Sequence, residues 1–73
     1  MKEERRLLKT LGKNVLIYRK KKRWSQMDLA AEIDVDRAYI GTIERAEANP
    51  TLKKVARLAK ALGIHPADLL DDR

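Results

Sequence analysis

The side chains in this sequence that are able to do chemistry are mainly charged, and basic groups outnumber acidic ones. Its 73 residues include 17 Lys and Arg, 11 Asp and Glu, one His and no Cys, for a formal net charge of +6. The absence of Cys excludes disulfides, thiolate nucleophiles and Cys-based zinc or iron–sulfur sites, and His65 by itself cannot form a His-rich metal site. We therefore expect no metal and no cofactor.

Carboxylates are further candidates for acid–base chemistry, and Asp68, Asp71 and Asp72 form a small cluster. No Gly-rich phosphate loop and no base-orienting partner accompanies them, which is typical of solvated surface charges. A chain of this length buries only about 60% of the surface that its unfolded form exposes, which allows one compact core and no deep cleft. We expect a single domain over residues 1–73 that is not an enzyme.

Positive charge is concentrated towards the two ends of the sequence. Residues 1–24 sum to +8 and include the cluster Lys20–Arg23, residues 25–50 sum to −4, and residues 51–73 sum to +2. Clustered Lys and Arg attract polyanions such as nucleic acid through counterion release, but they also solubilise helix surfaces, so charge alone leaves both interpretations open. The longest apolar run, Val15–Tyr18, is far shorter than the ~20 residues of a membrane span, and we expect a cytoplasmic protein.

Apolar residues recur at three- and four-residue steps through nearly the whole chain, which predicts helices. The first is expected over about residues 3–22. Ser25-Gln26-Met27-Asp28 has the form of a capping box and predicts the start of a second helix, which should end at Asp34-Val35-Asp36. Asp36 is the expected N-cap of a third helix, over about residues 36–45, with Ile40 and Ile43 directed inward. The residues expected on its outward side are Arg37, Ala38, Gly41, Thr42 and Arg45.

Two further helices are predicted beyond Pro50. Thr51 is the expected cap of the fourth, which should end at Gly63, and Pro66 is the expected first residue of a short fifth. The apolar residues that repeat at helical spacing along the fourth helix are Leu52, Val55, Leu58, Ala59 and Leu62. No alternating strand pattern is present, so the sequence predicts an all-α fold of five helices.

Two short helices separated by a three-residue turn form the core of a helix-turn-helix, whose second helix lies in the DNA major groove. The turn alone is a weak signal, and the specificity lies in the motifs around it. In chain order these are Leu11-Gly12-x-x-Val15-x-x-Tyr18-Arg19, Ser25-Gln26-x-x-Leu29-Ala30, Val35-Asp36-Arg37-x-Tyr39-Ile40-x-x-Ile43-Glu44-Arg45, Asn49-Pro50-Thr51-Leu52 and Leu58-Ala59-x-x-Leu62-Gly63. From about Leu11 to Leu70 the chain resembles the Cro/C1-type (XRE-like) helix-turn-helix family, and most closely its small restriction–modification controller proteins.

This resemblance implies a five-helix, lambda-repressor-like domain of a transcription regulator, acting as a homodimer on a palindromic duplex DNA operator and associated with the nucleoid when bound. The base-reading positions that it implies are Arg37, Ala38, Gly41 and Thr42. The phosphate-contacting positions that it implies are Ser25, Gln26, Tyr39, Arg45, Asn49, Lys53 and Lys54. The chemistry agrees, because the planar fork of Arg matches guanine O6 and N7, and the methyl groups of Ala and Thr contact thymine methyls.

The resemblance also implies an ion pair between Arg19 and Glu44, which would join the first helix to the end of the recognition helix. Spacing alone favours two solvated surface charges instead. A symmetric copy is expected to cover apolar residues in and near the fifth helix, namely Ile64, Leu69 and Leu70. The rival interpretation is a helix-turn-helix module that binds a protein partner, as an adaptor or an antitoxin-like domain, with weak affinity for DNA.

The sequence departs from the family pattern at two sets of positions. Arg23, Asp34 and Ala46 stand at turns where the family often has Gly, and non-Gly residues tolerate left-handed backbone poorly, so small differences in turn geometry are expected. Leu16 and Ile17 stand where the family usually has polar residues. They are either part of an additional contact surface or ordinary exposed apolar residues.

Overall fold

The protein, described here by a computed structural model over residues 2–72, consists of five α-helices and no strands within that range. The helices are α1 Lys2–Lys21, α2 Gln26–Ile33, α3 Arg37–Glu44, α4 Leu52–Leu62 and α5 Pro66–Leu69. The predicted all-α fold is confirmed. Over the same residues, no helix combines the length and the hydropathy that a membrane crossing requires.

Local sequence signals define the helix ends. The Ser25 hydroxyl accepts a hydrogen bond from the Asp28 backbone N–H at 3.0 Å, and the Asp28 carboxylate accepts one from the Ser25 N–H at 2.8 Å, which confirms the predicted capping box. Thr51 caps α4 by accepting from the Lys54 N–H at 3.2 Å. Gly63 ends α4 with a φ of 73°, the left-handed conformation that Gly adopts without a Cβ clash.

All five helices contribute to one hydrophobic core. Its largest fully buried side chains are Val15 from α1, Leu29 from α2, Ile40 and Ile43 from α3, Leu58 from α4 and Leu69 from α5. Because α3 packs against both α1 and α2, its position is fixed by residues distant in sequence as well as by the turn that precedes it.

The expectation that Leu69 is exposed for contact with a second copy is wrong. Leu69 is 0% exposed and belongs to the core, because the single turn of α5 packs against α1 and α4 and directs this side chain inward. Leu52 repeats at helical spacing with the buried residues of α4 but is 82% exposed. It is the first residue of α4, at an end of the helix where no neighbouring helix covers its side chain.

Helices α1 and α3 approach each other closely at Gly12. A Cβ atom at this position would lie 2.5 Å from the Ile43 carbonyl oxygen and 2.8 Å from that of Glu44, both shorter than real Cβ contacts. The absence of a side chain at Gly12 therefore allows the C-terminal end of α3 to lie directly against the backbone of α1.

Arg23, Asp34 and Ala46 adopt left-handed backbone conformations, with φ values of 61°, 59° and 61°. Each turn therefore has the conformation that Gly would supply, although these residues carry a Cβ. Such residues cost on the order of 1–3 kcal/mol each and persist only where the surrounding contacts fix the turn. The three turns follow α1, α2 and α3 and set the directions of the helices around the candidate site.

The close approach at Gly12 leads to a stability prediction. Gly12→Ala is expected to lower the free energy of unfolding by about 1–3 kcal/mol, as overpacking does, even though Ala favours an isolated helix by roughly 1 kcal/mol. Urea unfolding followed by circular dichroism measures the change. Gly41→Ala is the matched control, because a Cβ there meets only the end of the Arg45 side chain, with Nη1 at 3.0 Å. A Gly12→Ala variant as stable as the wild type would contradict the close approach.

Candidate nucleic-acid interface

The candidate interface is built on α2, α3 and the turn between them. Asp34 ends α2, and its backbone N–H is directed towards the carbonyls of Ala30 and Ala31, while the Val35 N–H donates to Ala30 O at 3.0 Å. Asp36 is the N-cap of α3, as expected, although its side chain makes no capping hydrogen bond. The turn leads directly into α3, which packs against α2 and leaves Arg37 and Ala38 exposed.

A buried ion pair ties α1 to the C-terminal end of α3. Arg19 Nε donates to Glu44 Oε2 at 2.7 Å and Arg19 Nη2 to Glu44 Oε1 at 3.0 Å, with the two side chains only 9% and 3% exposed. Arg19 Nη1 also donates to the Trp24 carbonyl oxygen at 2.8 Å. The hydrogen bonds to Glu44 raise the pKa of Arg19 above its ordinary value, so the guanidinium stays protonated.

The ion pair continues as a hydrogen-bonded chain to the start of α3. Gln26 Nε2 donates to Glu44 Oε1 at 3.0 Å, and Gln26 Oε1 accepts from Arg37 Nη1 at 3.2 Å. Both ends of the Gln26 amide are therefore in use, while its backbone N–H, at the first position of α2, has no acceptor within the helix. Through these contacts the exposed Arg37 guanidinium is oriented by a charge pair in the protein interior.

The expected base-reading residues do not share one environment. Arg37 and Ala38 are exposed and Thr42 is half-buried, with its hydroxyl donating to the Tyr39 carbonyl oxygen at 2.6 Å. Gly41 is buried, in contrast to the expectation that it faces outward, and the guanidinium of Arg45 lies next to it. Its role as a base reader stays a prediction.

The expected phosphate-contacting residues lie around the ends of α2, α3 and α4. Ser25 is exposed in the capping box, Lys53 is exposed, and the Lys54 ammonium lies 6.0 Å from the centre of the Tyr39 ring. Asn49 is exposed, but its Nδ2 donates to Glu4 Oε2 at 2.8 Å. To contact a phosphate, the Asn49 side chain would therefore have to break its hydrogen bond to the Glu4 carboxylate.

Three polar residues outside the expected set join segments that are distant in sequence. Asn14 is 8% exposed, and its Nδ2 lies 2.9 Å from the Leu69 carbonyl oxygen and 2.8 Å from that of Asp71, at the end of α5. Arg5 Nη1 donates to the Ala46 carbonyl oxygen at 3.1 Å, and the Arg57 guanidinium donates to the Ile33 carbonyl oxygen. Only Asn14 had a usable sequence signal, since it lies three residues after Leu11 on the buried stripe of α1.

The remaining apolar candidates lie near or on the surface. Ile64 is partly buried and packs against the core, whereas Leu70 is 39% exposed. Leu16 and Ile17 are half-buried on α1. Within residues 2–72, no group of three or more His, Cys, Asp or Glu side chains is arranged to hold a metal ion.

Comparison with known proteins adds the family context. Residues 15–69 match the family model described as helix-turn-helix. The chain is 47% identical over 51 residues to control protein C.BamHI of Bacillus amyloliquefaciens, covering 70% of this chain and 63% of that protein. It is 43% identical over 60 residues to control protein C.SmaI of Serratia marcescens, covering 82% of this chain and 71% of that protein. The chain thus spans a little less than two thirds of the length of C.BamHI.

A solved structure is similar as well. The crystal structure of the restriction-modification controller protein C.AhdI from Aeromonas hydrophila superposes with a TM-score of 0.81 at 37% sequence identity, covering 85% of this chain and 94% of that one. The similarity therefore extends through the arrangement of the helices as well as the local motif.

The buried pair predicts strong coupling between Arg19 and Glu44. Either Arg19→Ala or Glu44→Ala is expected to cost about 3–5 kcal/mol by leaving the other charge buried without its partner. The double variant should cost clearly less than the sum of the two, because neither charge remains. A double-mutant cycle measured by urea unfolding tests this. The exposed Arg6 and Asp72 pair, 3.0 Å apart, is the matched control and should show little coupling.

Proposed function

Because the chain belongs to the Cro/C1-type helix-turn-helix family, we propose that it binds a specific duplex DNA sequence and regulates transcription there. The observation that carries this proposal is the hydrogen-bonded chain from the buried Arg19 and Glu44 pair through Gln26 to Arg37. It fixes an exposed guanidinium at the first turn of a helix whose outward side is open. A surface Arg used only for solubility needs no such support. The function proposed is one of binding and not of catalysis.

In this proposal α3 lies in the major groove. Arg37 donates from its planar fork to O6 and N7 of a guanine, the pair of acceptors that distinguishes this base in the groove. Ala38 and Thr42 lie on the same outward side of α3 and offer methyl groups to thymine methyls. A few contacts of this kind recognise only some of the base pairs directly, and sequence-dependent DNA shape contributes further specificity.

Phosphate contacts fix the position of α3 in the groove. The residues proposed for them are Ser25, Gln26, Tyr39, Asn49, Lys53 and Lys54. For Gln26 the available donor is the backbone N–H at the start of α2, because its side chain is already engaged. Lys53 and Lys54 supply charge at the first turn of α4, beside Tyr39 of the recognition helix.

A homodimer on a palindromic operator completes the proposal. The molecule measures 31 Å in its longest dimension and carries one recognition helix over residues 2–72, whereas half-sites of this class lie about 34 Å apart. Two copies are therefore needed to read two half-sites. With Leu69 in the core, the proposed contact surface is formed by Leu70, which is 39% exposed, together with the exposed part of Ile64.

Selection of bound duplexes from a random DNA library tests the function. The expected result is an enriched palindrome with one-turn spacing, bound with an affinity that falls steeply as salt concentration rises. No enrichment, together with loss of binding at physiological salt, would overturn the proposal. It would direct the search to the protein partners of the rival interpretation.

Two variants then distinguish a residue that contacts a base from one that contacts a phosphate. Arg37→Ala is expected to reduce discrimination at one base pair by about 1–3 kcal/mol. Lys53→Ala should weaken binding to all sequences alike and reduce the slope of log affinity against log salt by about 1. Affinities for the selected duplex, its single-base variants and a scrambled duplex measure both effects. Equal losses on all duplexes for both variants would contradict the assignment of Arg37.

The dimer surface predicts the effect of a charge at Leu70. Leu70→Glu is expected to shift the protein from dimer to monomer, since two like charges would face each other across the twofold axis. Light scattering over a concentration series measures the change. Leu52→Glu is the matched control, because Leu52 is even more exposed but lies outside the proposed surface. A wild type that is monomeric at every concentration would contradict the dimer.

A further inference from the structure

The outward side of α3 carries a second guanidinium, that of Arg45, which the family resemblance assigns to a phosphate contact. Arg45 directly follows α3, and its side chain lies back across Gly41, so that a Cβ on Gly41 would be 3.0 Å from Arg45 Nη1 and 3.7 Å from Cζ. Gly41 is buried, while the Arg45 side chain itself remains 59% exposed. The group presented to solvent at this turn of α3 is therefore the guanidinium of Arg45.

Glu47 fixes the orientation of this guanidinium. Arg45 Nε donates to Glu47 Oε2 at 3.0 Å and Arg45 Nη2 to Glu47 Oε1 at 3.2 Å, so both carboxylate oxygens are used. The left-handed Ala46 between them reverses the chain, and the Glu47 N–H donates to the Thr42 carbonyl oxygen at 2.8 Å, which anchors Glu47 to α3. The hydrogen bonds from Arg45 lower the pKa of Glu47, so the carboxylate stays charged.

The edge of Arg45 that Glu47 leaves free suits a particular ligand. Glu47 occupies Nε and one side of Nη2, which leaves the N–H donors of Nη1 and the remaining donor of Nη2. Two parallel donors match the two acceptors O6 and N7 of guanine. A phosphate at the same edge would bring a second anion close to the Glu47 carboxylate, whereas the guanine acceptors carry no formal charge. The carboxylate therefore disfavours phosphate more than it disfavours a base.

We infer that Arg45 is a second base-reading residue that recognises a guanine, with Glu47 as its positioning residue and Gly41 providing the space in which it lies. This inference rests on the proposed function, because it requires α3 to lie in the major groove. It replaces the phosphate contact that the family resemblance implies for Arg45 and the base contact that it implies for Gly41. It also predicts a second guanine in each half-site besides the one that Arg37 reads.

The test measures affinities of the full chain for the selected duplex and for duplexes in which each base pair is replaced singly. Arg45→Lys keeps the positive charge but removes the fork. It is expected to reduce discrimination at one G·C pair by about 5- to 150-fold and to leave the other positions unchanged. Glu47→Gln should reduce discrimination at the same pair. Lys53→Gln is the control, and should weaken all duplexes alike.

Two other outcomes would overturn the inference. If Arg45→Lys binds every duplex as the wild type does, and Glu47→Gln strengthens binding to all duplexes equally, Arg45 contacts phosphate and the inference is wrong while the proposed function stands. If the wild type itself shows no preference at any position, the proposed function fails, and the inference fails with it. Circular dichroism confirms folding of each variant, and both substituted side chains are more than half exposed.

Discussion

The ion pair between Arg19 and Glu44 is the interaction on which the candidate interface depends. Two charges are withdrawn from water where α1 and the end of α3 meet, and a pair of this kind is stable only when its remaining donors and acceptors are satisfied. Trp24 O accepts from Arg19, and Glu44 accepts from Gln26 as well as Arg19. Within residues 2–72 no buried side-chain nitrogen or oxygen lacks a partner. The same contacts therefore satisfy the pair and orient the side chains at the surface.

The pair requires the backbones of α1 and α3 to be close and the turns around them to be fixed. Gly12 permits the approach, because the carbonyl oxygens of Ile43 and Glu44 occupy the space of a side chain. The left-handed turns at Asp34 and Ala46 then set the direction in which α3 begins and the direction in which the chain leaves it. The strain at these residues is offset by contacts such as the Glu47 N–H bond to Thr42 O and the Arg5 bond to Ala46 O. Contacts at both ends therefore fix the position of α3.

Much of the architecture follows from local signals. The capping box at Ser25, the cap at Thr51 and the left-handed Gly63 act over a few residues, so helix starts and ends are readable from the sequence. Helical periodicity also identifies the inward side of α3 correctly, since Ile40 and Ile43 are buried. Periodicity does not show how deeply a residue on the apolar side of a helix is buried. Leu52 and Leu69 both lie on apolar stripes, yet one is 82% exposed and the other 0%, because only the neighbouring helices decide which part of a stripe is covered.

The sequence by itself determined the helices, the order of the motifs, the positive charge and the residue types available to contact DNA. Tertiary structure decided which of these residues meet. Asn14 contacts the end of α5, 55 residues away from it at Leu69, and Gln26 of α2 joins the two ends of α3, at Glu44 and Arg37. The Arg45 side chain lies against the buried Gly41, and the left-handed turn at Ala46 brings Glu47 back to bind its guanidinium. Local propensities act over one or two helical turns and can be recognised in a short stretch of sequence. Side-chain contacts depend on how distant segments pack against each other, so no short stretch of the chain determines them.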